Sequence, residues 1–178
     1  MGPVEIIWGV LVITFGLIGI VRGFLKELGV TTVLLIVLFA FDHWGGKMYG
    51  LVFKGVERAV GISLAEGPRE SIAKASFYII AMVIATFISY HGETLAFQGT
   101  PPKGITGVLL GLIIGLVNGY LVAGTIWFYL DKFDYPFGLI SKPLTPLAQE
   151  LIKILPMAIL PPFLPFLMVF MVIARVIR

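Results

Sequence analysis

Cysteine is absent from this chain, and charged residues are scarce. Without cysteine there is no disulfide, no thiolate metal site and no cysteine nucleophile. Only 13% of the 178 residues are Asp, Glu, Lys or Arg, about half the share found in a typical soluble domain. The basic residues form no cluster with interleaved aromatic residues, so the sequence does not predict a nucleic-acid partner.

Apolar residues dominate the rest of the composition. They make up 58% of the chain, and the mean hydropathy is +1.02. Soluble domains are about 45–50% apolar. The composition therefore predicts an integral membrane protein.

Long apolar runs divide most of the chain into membrane spans. A helix that crosses a bilayer needs about 20 apolar residues, and four runs approach or exceed this length, at residues 4–21, 25–41, 72–90 and 105–130. Only the letters RGFLKE separate the first two runs, which predicts a tight N-terminal helical hairpin. The predicted fold class is all-α and integral to the membrane, with four to five transmembrane helices and short interfacial amphipathic helices.

The predicted four-span core covers residues 1–131, and the C-terminal part covers residues 132–178. Within the core, the mixed segment 42–71 predicts a loop with a short interfacial helix, because its valines recur every four residues. Within the C-terminal part, a connector precedes an amphipathic helix at 145–155. This helix begins with Thr145 as N-cap and is expected to lie on the membrane surface or on a partner.

The tail after this helix is apolar but rich in proline. Proline in a helix interior costs about 3 kcal/mol or more. One straight helix is therefore not expected from residue 155 to the C-terminus, and the uninterrupted helical part falls at about 163–177. We expect a membrane-embedded fifth segment there. The interrupting residues are Pro156, Pro161, Pro162 and Pro165.

Glycine recurs at four-residue spacing in the fourth span. Small residues let helices approach closely in lipid, where the hydrophobic effect no longer drives helices together. The first span carries a second set of glycines, and Asn118 can hydrogen-bond beside the row in the fourth. The pattern predicts a helix–helix contact surface, either within the chain or with a second copy or another subunit. The predicted packing residues are Gly107, Gly111, Gly115, Gly119 and Asn118, with Gly16, Gly19 and Gly23.

Three charged residues mark the junction of the first two spans: Arg22, Lys26 and Glu27. They are expected to anchor the hairpin at lipid phosphates, with docking onto an acidic partner as the alternative. No acidic or basic residue falls near the middle of a span, which argues against a pump or a coupled transporter.

The two histidines, His43 and His91, each end a predicted span. Consecutive spans run in opposite directions, so these two ends lie on opposite faces of the membrane, about 30 Å apart. One haem held by both histidines is therefore excluded, whereas a single pigment or haem ligand stays open. No cofactor is firmly implied beyond bound lipid. Ser89, His91 and Glu93 lack a nucleophile elbow, so no catalytic residue is predicted and the chain is expected not to be an enzyme.

The N-terminal hairpin resembles the start of the colicin V production protein (CvpA) family. The resemblance rests on an acidic residue near the N-terminus, on the turn G-x-x-R-G-F-x-x-E and on a later glycine-rich span, GITGVLLGLIIGLVNGYLVAG, and it covers residues 4–42 and 103–131. The matching turn residues are Gly19, Arg22, Gly23, Phe24 and Glu27. The resemblance implies a small protein of the bacterial inner membrane that is linked to toxin export or envelope maintenance. It implies no catalytic residues.

Three functions are compatible with this sequence. The first is a CvpA-like, non-enzymatic component that interacts with membrane lipids, with itself or with other membrane subunits. The second is an accessory structural subunit of a larger respiratory or photosynthetic complex. The third is a passive channel or transporter component. The distribution of Lys and Arg favours a cytoplasmic N-terminus.

Overall fold

The computed structural model describes residues 3–61, 68–91, 97, 99–138, 140, 142 and 144–176. This part of the chain is helical, apart from turns and connectors, and contains no strand. Seven α-helices and one short 3-10 turn follow each other along the chain. They are α1 Val4–Arg22, α2 Phe24–Val60, α3 Pro68–His91, α4 Gly104–Lys132, α5 Pro146–Ile152, α6 Pro156–Ile159, the 3-10 turn Pro161–Phe163 and α7 Leu164–Val176.

Four of these helices, α1 to α4, are long and apolar enough to cross a membrane. Three of the predicted spans agree closely with their helices, since α1, α3 and α4 extend the expected 4–21, 72–90 and 105–130 by a few residues at most. The described part of the chain is therefore all-helical, as predicted, and its four long apolar helices are compatible with a multi-pass membrane protein.

The fourth span organises the bundle. α1 runs antiparallel to α4, because Gly19 lies against Gly111 while Val12 lies against Gly119. α2 runs parallel to α4, because Glu27 lies against Asn118 and Phe41 lies against Tyr129. α3 packs on both. The predicted hairpin differs from the structure in one respect. α1 and α2 are joined by Gly23 alone, yet α1 packs along α4 and contacts α2 little.

The second helix is much longer than its predicted span. α2 has 37 residues, about 55 Å at the rise of an α-helix, whereas the hydrocarbon core of a bilayer is about 30 Å thick. The prediction of a loop with a separate interfacial helix at 42–71 is therefore wrong for residues 42–60, because α2 continues without a break to Val60. Residues 62–67 lie outside the described part of the chain, and α3 begins at Pro68.

The α2–α3 hairpin extends past the end of α4. Tyr78 of α3 stacks on Tyr129 in the last turn of α4, with ring centroids 3.9 Å apart, and lies 6.0 Å from Phe133 just beyond it. α3 begins ten residues before Tyr78, about 15 Å of helix. The accompanying segment of α2 contacts this extension through Tyr49 and Phe53 against Phe77.

The predicted amphipathic helix is α5, and it packs on the chain itself. Thr145 is its N-cap, since the hydroxyl Oγ1 accepts a hydrogen bond from the Ala148 amide at 3.1 Å. Ala148 and the nearby Leu155 are fully buried against a cluster that includes Trp127. The helix is shorter than the expected 145–155, since α5 ends at Ile152, and part of its apolar side packs on α1 and α4. Its placement on the membrane surface or on a partner stays a prediction. Leu147, by contrast, is exposed.

A tyrosine of the connector completes this cluster. Tyr135 is buried and its hydroxyl accepts a hydrogen bond from the Trp127 indole at 3.0 Å. Burial raises the pKa of Tyr135 to about 12, although the hydrogen bond from Trp127 acts in the opposite direction. The hydroxyl therefore stays protonated at neutral pH.

The proline-rich tail is broken as predicted. α6 and the 3-10 turn are short, and only α7 forms a longer helix, with Leu164 and Met171 buried in the core that includes α2. α7 has 13 residues, about 20 Å, which is shorter than a membrane core. A membrane-embedded fifth segment stays a prediction.

Candidate functional site

The most unusual feature of the bundle is a buried carboxylate. Glu27 lies in the first turn of α2, and its side chain is 0% exposed. Its Oε2 accepts two hydrogen bonds, from the Tyr90 hydroxyl at 2.9 Å and from the Asn118 amide nitrogen at 2.8 Å. Ionisable residues inside membrane bundles are costly and are usually held by specific partners.

The cation that compensates Glu27 comes from the last turn of α1. The Arg22 Nε lies 3.2 Å from Glu27 Oε1. This contact is an ion pair without hydrogen-bond geometry, because Oε1 has no hydrogen-bond donor in the described part of the chain. Arg22 also donates from Nη1 to the Tyr90 carbonyl at 2.9 Å, and its guanidinium lies 4.5 Å from the centre of the Tyr90 ring.

Asn118 connects this ion pair to the middle of α4. Its side-chain oxygen accepts a hydrogen bond from the Thr31 hydroxyl at 2.7 Å. Its side-chain nitrogen donates to the Glu27 carbonyl at 3.1 Å as well as to the carboxylate. Asn118 is fully buried, so these bonds satisfy groups that would otherwise be desolvated without a partner.

We call these five residues the Glu27 cluster: Arg22, Glu27, Thr31, Tyr90 and Asn118. They come from four helices, α1 to α4, and they meet next to the turn at Gly23. Removing an ion from water is compensated only where the opposite charge and hydrogen bonds are supplied inside the protein. The Glu27 cluster supplies both the opposite charge and the hydrogen bonds. Its contacts therefore hold the four helices together at one point.

The glycines of α1 and α4 form a second contact that holds the bundle together. Gly19 and Gly111 are so close that a Cβ on Gly19 would lie 2.2 Å from the Gly111 carbonyl oxygen. Gly115 lies against Gly19 and Gly16, and Gly119 lies against Phe15 and Val12. The contact is therefore within the chain, and the backbones approach because no side chains intervene.

Two of the predicted packing glycines have other roles. A Cβ on Gly107 would meet the Pro102 carbonyl oxygen at 2.1 Å, so this glycine accommodates the preceding connector and does not contact another helix. A Cβ on Gly23 would have nothing within 4 Å, and the φ of Gly23 is +87°. Because only glycine adopts this φ and ψ readily, Gly23 is the turn between α1 and α2.

The charged residues of this turn divide into two groups. Lys26 is exposed, as an anchor at lipid phosphates requires. Glu27 is buried, so the expectation that it docks lipid or a partner is corrected. Arg22, 21% exposed, points mainly at Glu27 and Tyr90. Glu27 is buried because the Gly23 turn places the start of α2 next to Tyr90. A carboxylate in this position requires a cation from within the protein.

The two histidines lie far apart, as the sequence predicts. His43 is exposed on α2, where it pairs with Asp42 at 3.2 Å and stacks on Phe39. His91 is exposed at the end of α3, next to Tyr90 and so near Glu27. Glu27 and His43 are sixteen residues apart on α2, about 24 Å. In the described residues, no group of three or more His, Cys, Asp or Glu could hold a metal ion.

The extension of α2 carries an uncovered apolar face, which we call the α2 stripe: Trp44, Met48, Leu51 and Val52. The spacing i, i+4, i+7 and i+8 places these residues on one side of a helix, and Leu51 is 75% exposed. Exposed cations, Lys47, Lys54 and Arg58, follow the same segment. This face is not predicted from the sequence, because residues 42–71 are expected there to form a loop.

Tyr90 of the Glu27 cluster is not predicted from the sequence, and Thr31 is predicted only as one of several threonines that pack between spans. Tyr90 and Thr31 lie in apolar runs, and neither differs in sequence context from other hydroxyl residues of the spans. Among these residues, sequence context indicates a buried polar contact only for Asn118, because it is an amide in the centre of an apolar helix. The pairing of Asn118 with Glu27 joins residues 91 positions apart, and sequence spacing does not specify such a contact.

Comparisons with known proteins give no assignment. No protein-family model, no curated protein and no solved structure matches this chain significantly.

Proposed function

We propose that this protein is a non-enzymatic component of a membrane, a rigid helical scaffold that binds other membrane subunits. The α2 stripe is the observation that carries the proposal. It is an apolar face on a helix that continues beyond the length of a bilayer, and exposed lysines and an arginine accompany it. Uncovered apolar faces of this kind mark interaction sites.

The remaining packing surfaces support this assignment. The glycines of α1 and α4 contact each other, and the polar side chains of the Glu27 cluster bind each other. These surfaces are therefore used in holding one chain together. The α2 stripe and the lipid-facing sides of the spans remain available for contacts with a second copy or another subunit.

The proposed setting is the bacterial inner membrane, with a CvpA-like role in toxin export or envelope maintenance. Its support is the turn motif that carries the resemblance. Gly19 packs on Gly111, Gly23 makes the turn, and Arg22 pairs with Glu27. The motif thus corresponds to one structural unit. Because α2 returns to the side on which α1 begins, Lys47 and Lys54 favour a cytoplasmic N-terminus under the positive-inside rule.

An accessory subunit of a larger respiratory or photosynthetic complex is the second candidate. The same α2 stripe favours it, because a permanent partner covers such a face throughout the life of the assembly. The two candidates differ in stoichiometry. A stable complex retains its partners in fixed ratio, whereas a CvpA-like component runs as a small assembly.

Purification from native membranes in a gentle detergent tests the proposal. We would measure the mass of the intact particle, the identity of co-purifying proteins and the absorption spectrum. Three chains are compared: the wild type, Leu51→Glu on the α2 stripe, and Ile105→Glu as a matched control at the other end of the bundle. Ile105 is 80% exposed in the first turn of α4.

We expect the wild type and the control to carry the same partner proteins, and Leu51→Glu to run without them while keeping its helix content. Partners in fixed stoichiometry together with a chromophore would select the accessory-subunit assignment. A wild-type chain that runs alone would overturn the proposal.

A further inference from the structure

A groove opens between α1 and α3, with α4 as its floor. It has a volume of ≈ 420 Å³, within the range of about 300–1,000 Å³ that is typical of small-molecule sites. Its walls are Phe15 and Ile18 on α1, Val83, Thr86, Phe87 and Tyr90 on α3, and Val122 below.

The groove opens at the side of the helical bundle. Its outer rim is formed by Val83 and Phe87, which are 51% and 67% exposed, and both belong to a helix that is apolar enough to span a membrane. Among the described residues that line it, no polar side-chain group lacks a partner. The Thr86 hydroxyl donates to the Met82 carbonyl at 2.8 Å, and the Tyr90 hydroxyl donates to Glu27.

One end of the groove carries an arginine that is paired with Glu27. Ile18 is followed one turn later by Arg22, whose guanidinium covers the ring of Tyr90 at 4.5 Å. A guanidinium has five N–H donors, and the contacts with Glu27 and the Tyr90 carbonyl engage two of its three nitrogens. His91 stacks on Phe87 at the same end. The apolar groove therefore ends at a partly exposed arginine.

We propose that this groove binds an anionic phospholipid, with an acyl chain along Phe15, Val83 and Phe87 and the phosphate at Arg22. The acyl chain matches a wall without free polar groups that opens to hydrocarbon. The phosphate matches the remaining donors of a guanidinium, which bind phosphate oxygens in fork geometry. Glu27 and Tyr90 hold Arg22 at the end of the groove, so the cation is positioned before the lipid arrives.

Native mass spectrometry of the full chain tests this proposal. The protein is transferred from micelles that contain phosphatidylglycerol and phosphatidylcholine in equal amounts. Retained lipids are then counted and identified. One cation near a headgroup contributes about 1 kcal/mol, so we expect one retained lipid with about a fivefold preference for phosphatidylglycerol.

Four variants make the test specific. Val83→Trp and Ile18→Trp fill the groove from opposite walls and are expected to abolish retention. Ile80→Trp is the matched control, because Ile80 is 57% exposed on α3 and does not line the groove. It is expected to retain lipid like the wild type. Arg22→Lys keeps the charge but not the fork, and is expected to reduce the retention of both lipids while keeping the preference for phosphatidylglycerol.

Each result decides the proposal. Retention that both tryptophan variants lose and the control keeps supports it. Equal retention of the two lipids by the wild type, or unchanged retention in a tryptophan variant that stays helical, overturns it. The proposal stands apart from the proposed function, since lipid retention requires no protein partner.

Discussion

Glu27 shows how one charged residue can organise a bundle of apolar helices. A carboxylate with no exposed surface receives two hydrogen bonds on one oxygen and a cation beside the other. Each of these partners belongs to a different helix. Because breaking a buried ion pair leaves the remaining charge without compensation, the residue is expected to matter more for stability than any single apolar contact around it.

Replacing Glu27 tests this expectation at the residue scale. Glu27→Ala leaves the Arg22 charge unpaired and is expected to lower the free energy of unfolding by about 3 kcal/mol. Glu27→Gln keeps an acceptor for Tyr90 and is expected to cost less. The measurement is reversible unfolding in mixed micelles, followed by far-ultraviolet circular dichroism. A Glu27→Ala protein as stable as the wild type would contradict the role of the cluster.

The glycine contact permits an equally direct comparison. Gly19→Ala places a methyl group against the Gly111 carbonyl, which forces the helices apart and is expected to cost about 1–3 kcal/mol. Gly9→Ala is the control, because nothing lies within 4 Å of a Cβ at Gly9 on the same helix. It is expected to be neutral or to stabilise by up to about 1 kcal/mol. Equal effects of the two substitutions, measured in the same unfolding assay, would refute the contact.

At the scale of residues, the sequence predicted which residues make packing contacts better than it predicted the residues that they contact. The spacing of the glycines and the position of Asn118 identified a packing face, and the structure places that face against α1. The partner of Glu27 was not predictable, because an interfacial turn and a buried ion pair use the same residues. Which of them forms depends on whether another helix covers the turn.

The second helix sets the shape of the molecule at the scale of elements. Gly23 allows α1 to end and α2 to begin within one residue, and α2 then continues to Val60. The sequence predicted where the apolar run ends, near residue 41. It did not predict that the helix continues, because Gly45, Gly46 and the charged residues suggest a loop. The continuing helix is supported by packing of its aromatic side on α3.

Two glycine substitutions test the turn and the continuous helix together. Gly23→Ala forces a side chain into a backbone conformation that only glycine tolerates and is expected to cost about 1–3 kcal/mol. Gly46→Ala lies within α2, with nothing within 4 Å of the added Cβ. It is expected to stabilise the protein by about 0.5–1 kcal/mol. If a loop occupied this position, Gly46→Ala would have no stabilising effect, and the continuous helix would be wrong.

The arrangement of the whole molecule was the least predictable level. Adjacent spans are commonly drawn as packed hairpins, yet α1 packs on α4 and contacts α2 little. In lipid, close backbone approach and polar contacts select the neighbours. Both occur between α1 and α4 or around Glu27, and both join distant parts of the chain. Spans could therefore be predicted from hydropathy, but their neighbours could not.

The central claim is that the glycine and polar surfaces hold one chain together, whereas the α2 stripe contacts other proteins. Site-specific photo-crosslinking in native membranes tests it most directly, with the crosslinker at Leu51 on the stripe or at Leu116, whose side chain lies against Gly16. The account predicts crosslinks from Leu51 to another protein and from Leu116 only within the chain. Crosslinks from Leu116 to a second protein, with none from Leu51, would contradict it.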